Sequence, residues 1–300
     1  MNRGYLDFIH YVNKYQLGLI SKDEDLKKHN TFKIGGKCYC LYKPDCIDNL
    51  KKAYRYILLN KLDYFVIGNG SNLLITDEYQ FRIYICLKGL NKISLNDNTI
   101  EIESGVMGNM LSKKLSLLNY SGLEFLAGIP GTIGGMIYMN AGSNNKFISD
   151  TLESITYIDE LGKICTMTNI REKGFSYRST PFMKRKVIIL SCIIKLIRDD
   201  NASKLYYECL NNKINSQPLS EYSAGCIFKN PVGFKSWQLI KDSVKIKSIN
   251  DAAISDKHAN FLINKNHATF KDMHNLINMI KEEVYNKHNI LLETEVTIVE

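Results

Sequence analysis

Residues 122–135 read Gly122-Leu-Glu-Phe-Leu-Ala-Gly-Ile-Pro-Gly-Thr-Ile-Gly-Gly135, and Asn140-Ala-Gly142 follows closely. Proline fixes the backbone here while the glycines release it, so the main chain lies open to close approach by another group. A second stretch of this kind, Gly68-Asn-Gly-Ser-Asn72, joins the apolar strand-like segments Tyr64 to Ile67 and Leu73 to Ile75. Neither stretch is a Walker loop or a GxGxxG fingerprint. Each offers backbone N–H groups unhindered by side chains, the requirement for a nest that holds a pyrophosphate. The alternative reading is a pair of tight turns.

Outward from these loops, hydrophobic spacing sets the elements. Lys37 to Lys43 alternates as a strand, and Pro44-Asp45 opens a helix with Ile47, Leu50, Ala53 and Ile57 on one face. Residues 81–87 and 99–103 read as strands, and Leu111, Leu115 and Leu118 mark a helix. Asp159-Glu-Leu-Gly162 separates strand-like stretches 152–158 and 163–168 as a hairpin turn, and Val187 to Ile197 reads as a buried strand. Thr269-Phe-Lys-Asp272 has capping-box spacing ahead of a helix carrying Met273, Ile277, Ile280 and Val284. A strand is expected over 291–299, and the first 30 residues read as a polar lead-in. The charged break Arg198-Asp-Asp-Asn201 marks a domain boundary. The fold class is α+β, divided into 1–30, 31–198 and 199–300.

Composition excludes several classes. With 300 residues, 45% of them hydrophobic and 23% charged, the chain is globular rather than disordered, collagenous or coiled-coil. Its longest apolar run, Val187 to Ile194, is broken by Ser191 and falls far short of the roughly 20 residues that span a bilayer. Asp7 interrupts the apolar start and no small-residue cleavage site follows, so a cytoplasmic location is expected without a membrane partner. The eight cysteines form no Cys-x-x-Cys pair and read as thiols in a reducing compartment. Cys38, Cys40 and Cys46 read as packing rather than as a metal site, so no metal is expected. A net charge of +8 favours an anionic partner, although abundant Lys, Asn, Ile and Tyr with scarce Pro reads equally well as compositional bias. No helix-turn-helix turn, zinc spacing or aromatic RNP-like strand appears, so no nucleic-acid partner is expected.

Several motifs recur in one order: Asn30-Thr-Phe-Lys-Ile-Gly-Gly36, Ile67-Gly-Asn-Gly-Ser-Asn-Leu73, the 122–135 run, Tyr177-Arg-Ser179, Ser223-Ala-Gly-Cys-Ile-Phe-Lys-Asn-Pro231 and Lys257-His-Ala-Asn260. Over residues 20–300 this order resembles the UDP-N-acetylenolpyruvoylglucosamine reductase (UDP-N-acetylmuramate dehydrogenase) family. The resemblance implies a flavoprotein oxidoreductase of peptidoglycan precursor synthesis, serving cell wall biogenesis and, through it, cell shape, division and the cell cycle. It implies FAD in a two-part domain of the p-cresol methylhydroxylase/vanillyl-alcohol oxidase type over 31–198, and a C-terminal substrate domain over 199–300. NADPH is the implied hydride donor, a UDP-sugar enolpyruvyl ether the substrate, and a monomer the expected state. An FAD-dependent oxidase of the same superfamily acting on another substrate is the alternative.

The implied chemistry names residues. Hydride addition pushes charge onto the substrate carboxylate, and a guanidinium meets a carboxylate in bidentate fashion. The resemblance gives this role to Arg178. It places the proton donor at Cys226, where the family usually has Ser; a thiol with a reference pKa of about 8.5 is the better acid, so the chemistry survives the exchange. Glu295, on the expected terminal strand, is implied as a hydrogen-bonded acid that polarises the carboxylate, with Glu293 as runner-up. FAD contacts are expected from Gly68, Asn69, Gly70, Ser71, Asn72, Leu73, Gly128, Pro130, Gly131, Thr132, Gly134, Gly135, Asn140 and Ala141. Substrate contacts are expected from Tyr177, Lys229 and Asn230, while His258 stays unassigned. Asn250-Asp-Ala-Ala253 departs from the glycines usual in the family before the Lys-His-Ala segment. The short span between Arg178 and Cys226 leaves no room for a tyrosine-bearing insertion, which points to the shorter subclass.

Overall fold

Strand Ile188–Lys195 lies at the centre of a five-stranded sheet, flanked by Leu152–Ile158 and Thr99–Glu103, with Ile164–Thr168 and Ile93–Leu95 at the edges. Every pairing in it is antiparallel. The computed structural model describes residues 2–96, 98–183 and 185–300. By contacts, the chain forms two units that interleave in sequence, where three consecutive segments are expected from the sequence. The first comprises Met1–Glu24, Tyr39–Asn69 and Phe81–Asn211; the second comprises Asp25–Cys38, Gly70–Gln80 and Asn212–Glu300.

The first unit holds two apolar cores. One packs the five-stranded sheet with helices Gly108–Leu117 and Ile133–Tyr138, burying Ile102, Leu111, Phe125, Ile137, Ile155 and Phe182. The other lies against a four-stranded sheet ordered Leu19–Asp25, Lys37–Lys43, Gln80–Cys86 and Tyr64–Ile67, the last two strands being parallel. Helices Asn2–Lys14 and Ile47–Leu59 contribute Phe8, Val12, Leu50, Ala53 and Ile57 to it.

Three expectations are corrected in this unit. The polar lead-in contains helix Asn2–Lys14, whose buried face is aromatic: the Phe8 and Tyr42 rings meet edge-on at 5.8 Å and Tyr11 stacks on Tyr56 at 4.5 Å. Leu118 lies off the buried face because its helix ends at Leu117, and Asn119 turns left-handed at φ +58°. Gly134 and Gly135 belong to helix Ile133–Tyr138, which Thr132 caps by accepting from the Gly135 N–H, so the loop is shorter than the glycine pattern suggests. The hairpin at Asp159 forms as read, with the Asp159 carboxylate accepting from the amides of Leu161 and Lys163.

In the second unit, strands Tyr222–Cys226, Phe261–Asn264, Ala252–Ile254 and Ser248–Ile249 form an antiparallel sheet. Helix Phe270–His288 packs with it through Met273, Ile277, Ile280 and Val284, and its Thr269–Asp272 capping box is present. Strand Leu73–Ile75 pairs in parallel with Thr297–Val299. The expected strand over 291–299 is therefore cut to three residues. Upstream, only an isolated bridge joins Thr294 to Phe228, because the segment bonds first to residues 227–229 and then changes partner to 73–75. Among the described residues no helix is long and apolar enough to cross a membrane.

Candidate active site

The glycine-rich loop of the first unit is tied at several points. Gly108 N–H donates to Gly131 O at 2.9 Å, Ile133 N–H to Val106 O at 2.8 Å, and Asn69 Nδ2 to Pro130 O at 2.6 Å. The last bond links the start of the other glycine stretch, Gly68-Asn69, to this loop. Gly134 is glycine for packing: a Cβ there would come within 2.7 Å of Ser104 Cβ, and its amide donates to Ser104 O at 2.8 Å.

The open amides are thus fewer than the sequence suggests. Gly131 and Thr132 are buried, yet their N–H groups and that of half-buried Gly128 find no acceptor among the described residues. Buried donors in that state call for an oxyanion or water. Clustered around Pro130, they fit the pyrophosphate of FAD. By contrast, Asn140 and Ala141 donate their amides internally, to Ile137 O and Met136 O.

Gly70, Ser71, Asn72 and Leu73 belong to the second unit. Gly70, at φ +62°, brings its backbone against His29 and Asn30 where a Cβ would collide, and its carbonyl accepts from Thr31 N–H at 3.4 Å. Asn72 O accepts from Thr297 N–H at 2.9 Å and Asn72 Nδ2 donates to Glu295 O at 3.0 Å.

Arg178 sits at the tip of a tight turn in the first unit. Ser176 and Ser179 exchange backbone bonds at 3.0 and 3.1 Å across Tyr177 and Arg178, and Arg178 is left-handed at φ +51°. Its half-buried guanidinium lies 5.3 Å from the Tyr177 ring and donates from Nη1 to Asn140 O at 3.4 Å. Nothing in the Tyr-Arg-Ser triplet announces this conformation.

Cys226 ends strand Tyr222–Cys226, which pairs with Phe261–Asn264 through an irregularity between Ser223 and Cys226, where Gly225 has φ +78°. That break in the ladder re-aims the chain at the thiol, as bulges do beside active sites. Beyond it, Ile227 O accepts the Glu295 N–H at 2.7 Å, so Cys226 and Glu295 lie on adjoining segments of one unit, each half-buried. Lys229 pairs with Glu293 at 3.2 Å. Asn230 Oδ1 accepts from Ser236 N–H at 3.0 Å, ahead of helix Ser236–Ser243. Asn260, not among the residues expected at the site, is 3% exposed and grips Phe228 twice, donating Nδ2 to its carbonyl at 2.8 Å and accepting its N–H at 2.9 Å. It was visible in sequence only as the end of Lys257-His-Ala-Asn260.

The second unit also has a cavity of about 620 Å³ whose lining includes Trp237, Lys241, Lys247, Asp256, Lys257 and His258. His258 accepts Asn260 N–H at Nδ1, meets Phe261 edge-on at 4.9 Å, and is held by burial below the usual histidine range. Among the described residues no group of three or more His, Cys, Asp or Glu side chains is placed to hold a metal ion.

Two family descriptions match this chain: "FAD binding domain" over residues 39–168 and "UDP-N-acetylenolpyruvoylglucosamine reductase, C-terminal domain" over residues 217–299. The chain is 35% identical over 301 residues to the UDP-N-acetylenolpyruvoylglucosamine reductase of Clostridium tetani, covering 98% of this chain and 97% of that one. It is 36% identical to that of Alkaliphilus oremlandii, with 94% and 93% covered. The solved reductase of Thermus caldophilus superimposes with a TM-score of 0.81 at 28% identity, over 94% of this chain and all of that one.

Proposed function

The chain belongs to the UDP-N-acetylenolpyruvoylglucosamine reductase family, and from that premise we propose which of its residues carry the reaction. It is an FAD-dependent oxidoreductase that uses NADPH to reduce UDP-N-acetylglucosamine enolpyruvate to UDP-N-acetylmuramate for peptidoglycan synthesis. When bound, FAD supplies the redox chemistry, hydride uptake from NADPH and its delivery to the enolpyruvyl methylene carbon. Gly128, Gly131 and Thr132 hold the pyrophosphate through their amides.

Arg178 neutralises the charge that develops on the substrate carboxylate, where a fixed cation acts only as that charge appears. Glu295 serves in the second unit as the hydrogen-bonded acid of the reaction. Cys226 gives its thiol proton to the carbon beside the carboxylate, forming a C–H bond and leaving a thiolate that solvent reprotonates. The observation that carries this reading is the 2.7 Å bond from Glu295 N–H to Ile227 O, which seats the carboxyl and thiol segments side by side. Lys229 and Asn230 are the substrate contacts of this reading, and the cavity lined by Trp237 and three lysines is a further seat for the nucleotide and its diphosphate. In this reading residues 31–198 carry the flavin loops together with Arg178, and 199–300 carry the other substrate residues. The enzyme acts as a cytoplasmic monomer, with cell shape and division following from cell wall biogenesis.

Anaerobic half-reactions test the reading. The NADPH-reduced protein is mixed with the enolpyruvyl substrate and the return of the oxidised flavin band is followed. Reoxidation tied to formation of UDP-N-acetylmuramate is expected; reoxidation by oxygen but not by substrate turns the assignment toward an oxidase.

A further inference from the structure

We propose that Asn140 is a positioning residue for Arg178, holding the turn from which that guanidinium acts; this rests on the role given to Arg178 above. Across Tyr177 and Arg178 the chain reverses in two residues, and only the second of them has positive φ. In a turn of that shape glycine ordinarily occupies the second central place. An arginine there is strained, and such strain persists only where the surroundings over-determine it.

Asn140 supplies much of that determination. It is 1% exposed and itself left-handed at φ +43°. Its Nδ2 donates to Ser176 O at 2.8 Å, its Oδ1 accepts Ser149 N–H at 3.3 Å, and its carbonyl accepts from Arg178 Nη1 at 3.4 Å. Two residues earlier, Tyr138 O accepts Thr180 Oγ1 at 3.0 Å. Residues 138–140 therefore grip the turn before and after its tip, and Asn140 touches both the first carbonyl of the turn and the guanidinium. A bidentate contact with a carboxylate demands a fixed aim. The side chain of Asn140 is committed to that aim rather than to the dinucleotide.

Two substitutions test this. Asn140→Gly tolerates the positive φ and removes both side-chain bonds; Asn140→Asp keeps the acceptor for Ser149 and removes the donor to Ser176. FAD-loaded variants are reduced with NADPH, then reoxidised by the enolpyruvyl substrate without oxygen. Flavin content and NADPH reduction are expected to match the parent, while reoxidation slows by roughly 10- to 10²-fold, the scale of loss from a misplaced reacting group. In an Arg178→Ala background neither substitution should slow it further. Parent-rate reoxidation, parallel loss of flavin content, or a multiplicative loss alongside Arg178→Ala overturns the proposal. If Arg178→Ala alone reoxidises at the parent rate, it is the catalytic role of Arg178 that fails, and this proposal with it.

Discussion

Lys229 and Glu293 are joined twice, by the Lys229 N–H donating to Glu293 O at 2.9 Å and by Lys229 Nζ at 3.2 Å from Glu293 Oε2. In the reading proposed above Glu293 is held by Lys229, and Glu295, whose backbone is tied beside Cys226, is the acid of the reaction.

Glu295→Gln is accordingly expected to slow substrate-driven reoxidation by at least about 10²-fold, with NADPH reduction intact. Glu293→Gln should stay near the parent rate, and its stability should change by less than about 1 kcal/mol, since the pair it breaks is largely exposed. Rapid-mixing traces and urea unfolding of both variants check this. Loss in Glu293→Gln with retention in Glu295→Gln would exchange their roles.

Arg178→Lys keeps the charge and loses the planar fork. Reoxidation should fall by roughly 10²-fold, as on removal of an oxyanion donor, while reduction by NADPH continues. Parent-rate turnover in this variant would contradict bidentate stabilisation of the carboxylate.

Cys226→Ala should be reduced by NADPH and then stall on substrate, falling by about 10²- to 10⁴-fold, the worth of a positioned acid. Cys226→Ser should recover much of that rate. If Cys226→Ala reoxidises at the parent rate per flavin, another group donates the proton, and Ser223 on the same strand is next to replace.

Asn260→Ala leaves the buried N–H and C=O of Phe228 without their partner. Each such loss costs about 1 to 3 kcal/mol, so a marked drop in the urea midpoint is expected. An unchanged midpoint would show that the clamp adds nothing to stability.

Burial holds the His258 pKa below its ordinary 6.5. As the pH drops below 6.5, the unfolded chain takes up a proton that the folded ring resists, so unfolding consumes protons and stability declines until the folded value is passed. This contribution is fully present above 6.5. Unfolding midpoints taken between about pH 7.5 and about pH 5 should show a decline that His258→Gln lacks. A ring titrating at or above 6.5 by NMR would refute it.

How much was legible follows the range of the interactions. The hairpin at Asp159 rests on carboxylate bonds two and four residues away, and the Thr269–Asp272 box closes over three. Such short contacts leave a pattern in the chain itself. The aromatic face of helix Asn2–Lys14 was missed because its partners, Tyr42 and Tyr56, come from a distant strand and helix.

By itself the amino-acid sequence determined the α+β class, the two glycine-rich stretches and the motif order that carries the family. Only the tertiary structure decided which amides remain open around Pro130, that Arg178 stands left-handed on a turn gripped by Asn140, and that Glu295 rather than Glu293 is tied beside Cys226. The last two of these rest on hydrogen bonds between residues 36, 38 and 68 positions apart. At such separations, loop-closure entropy is repaid only by the packed fold, and no local preference of the chain records the pairing.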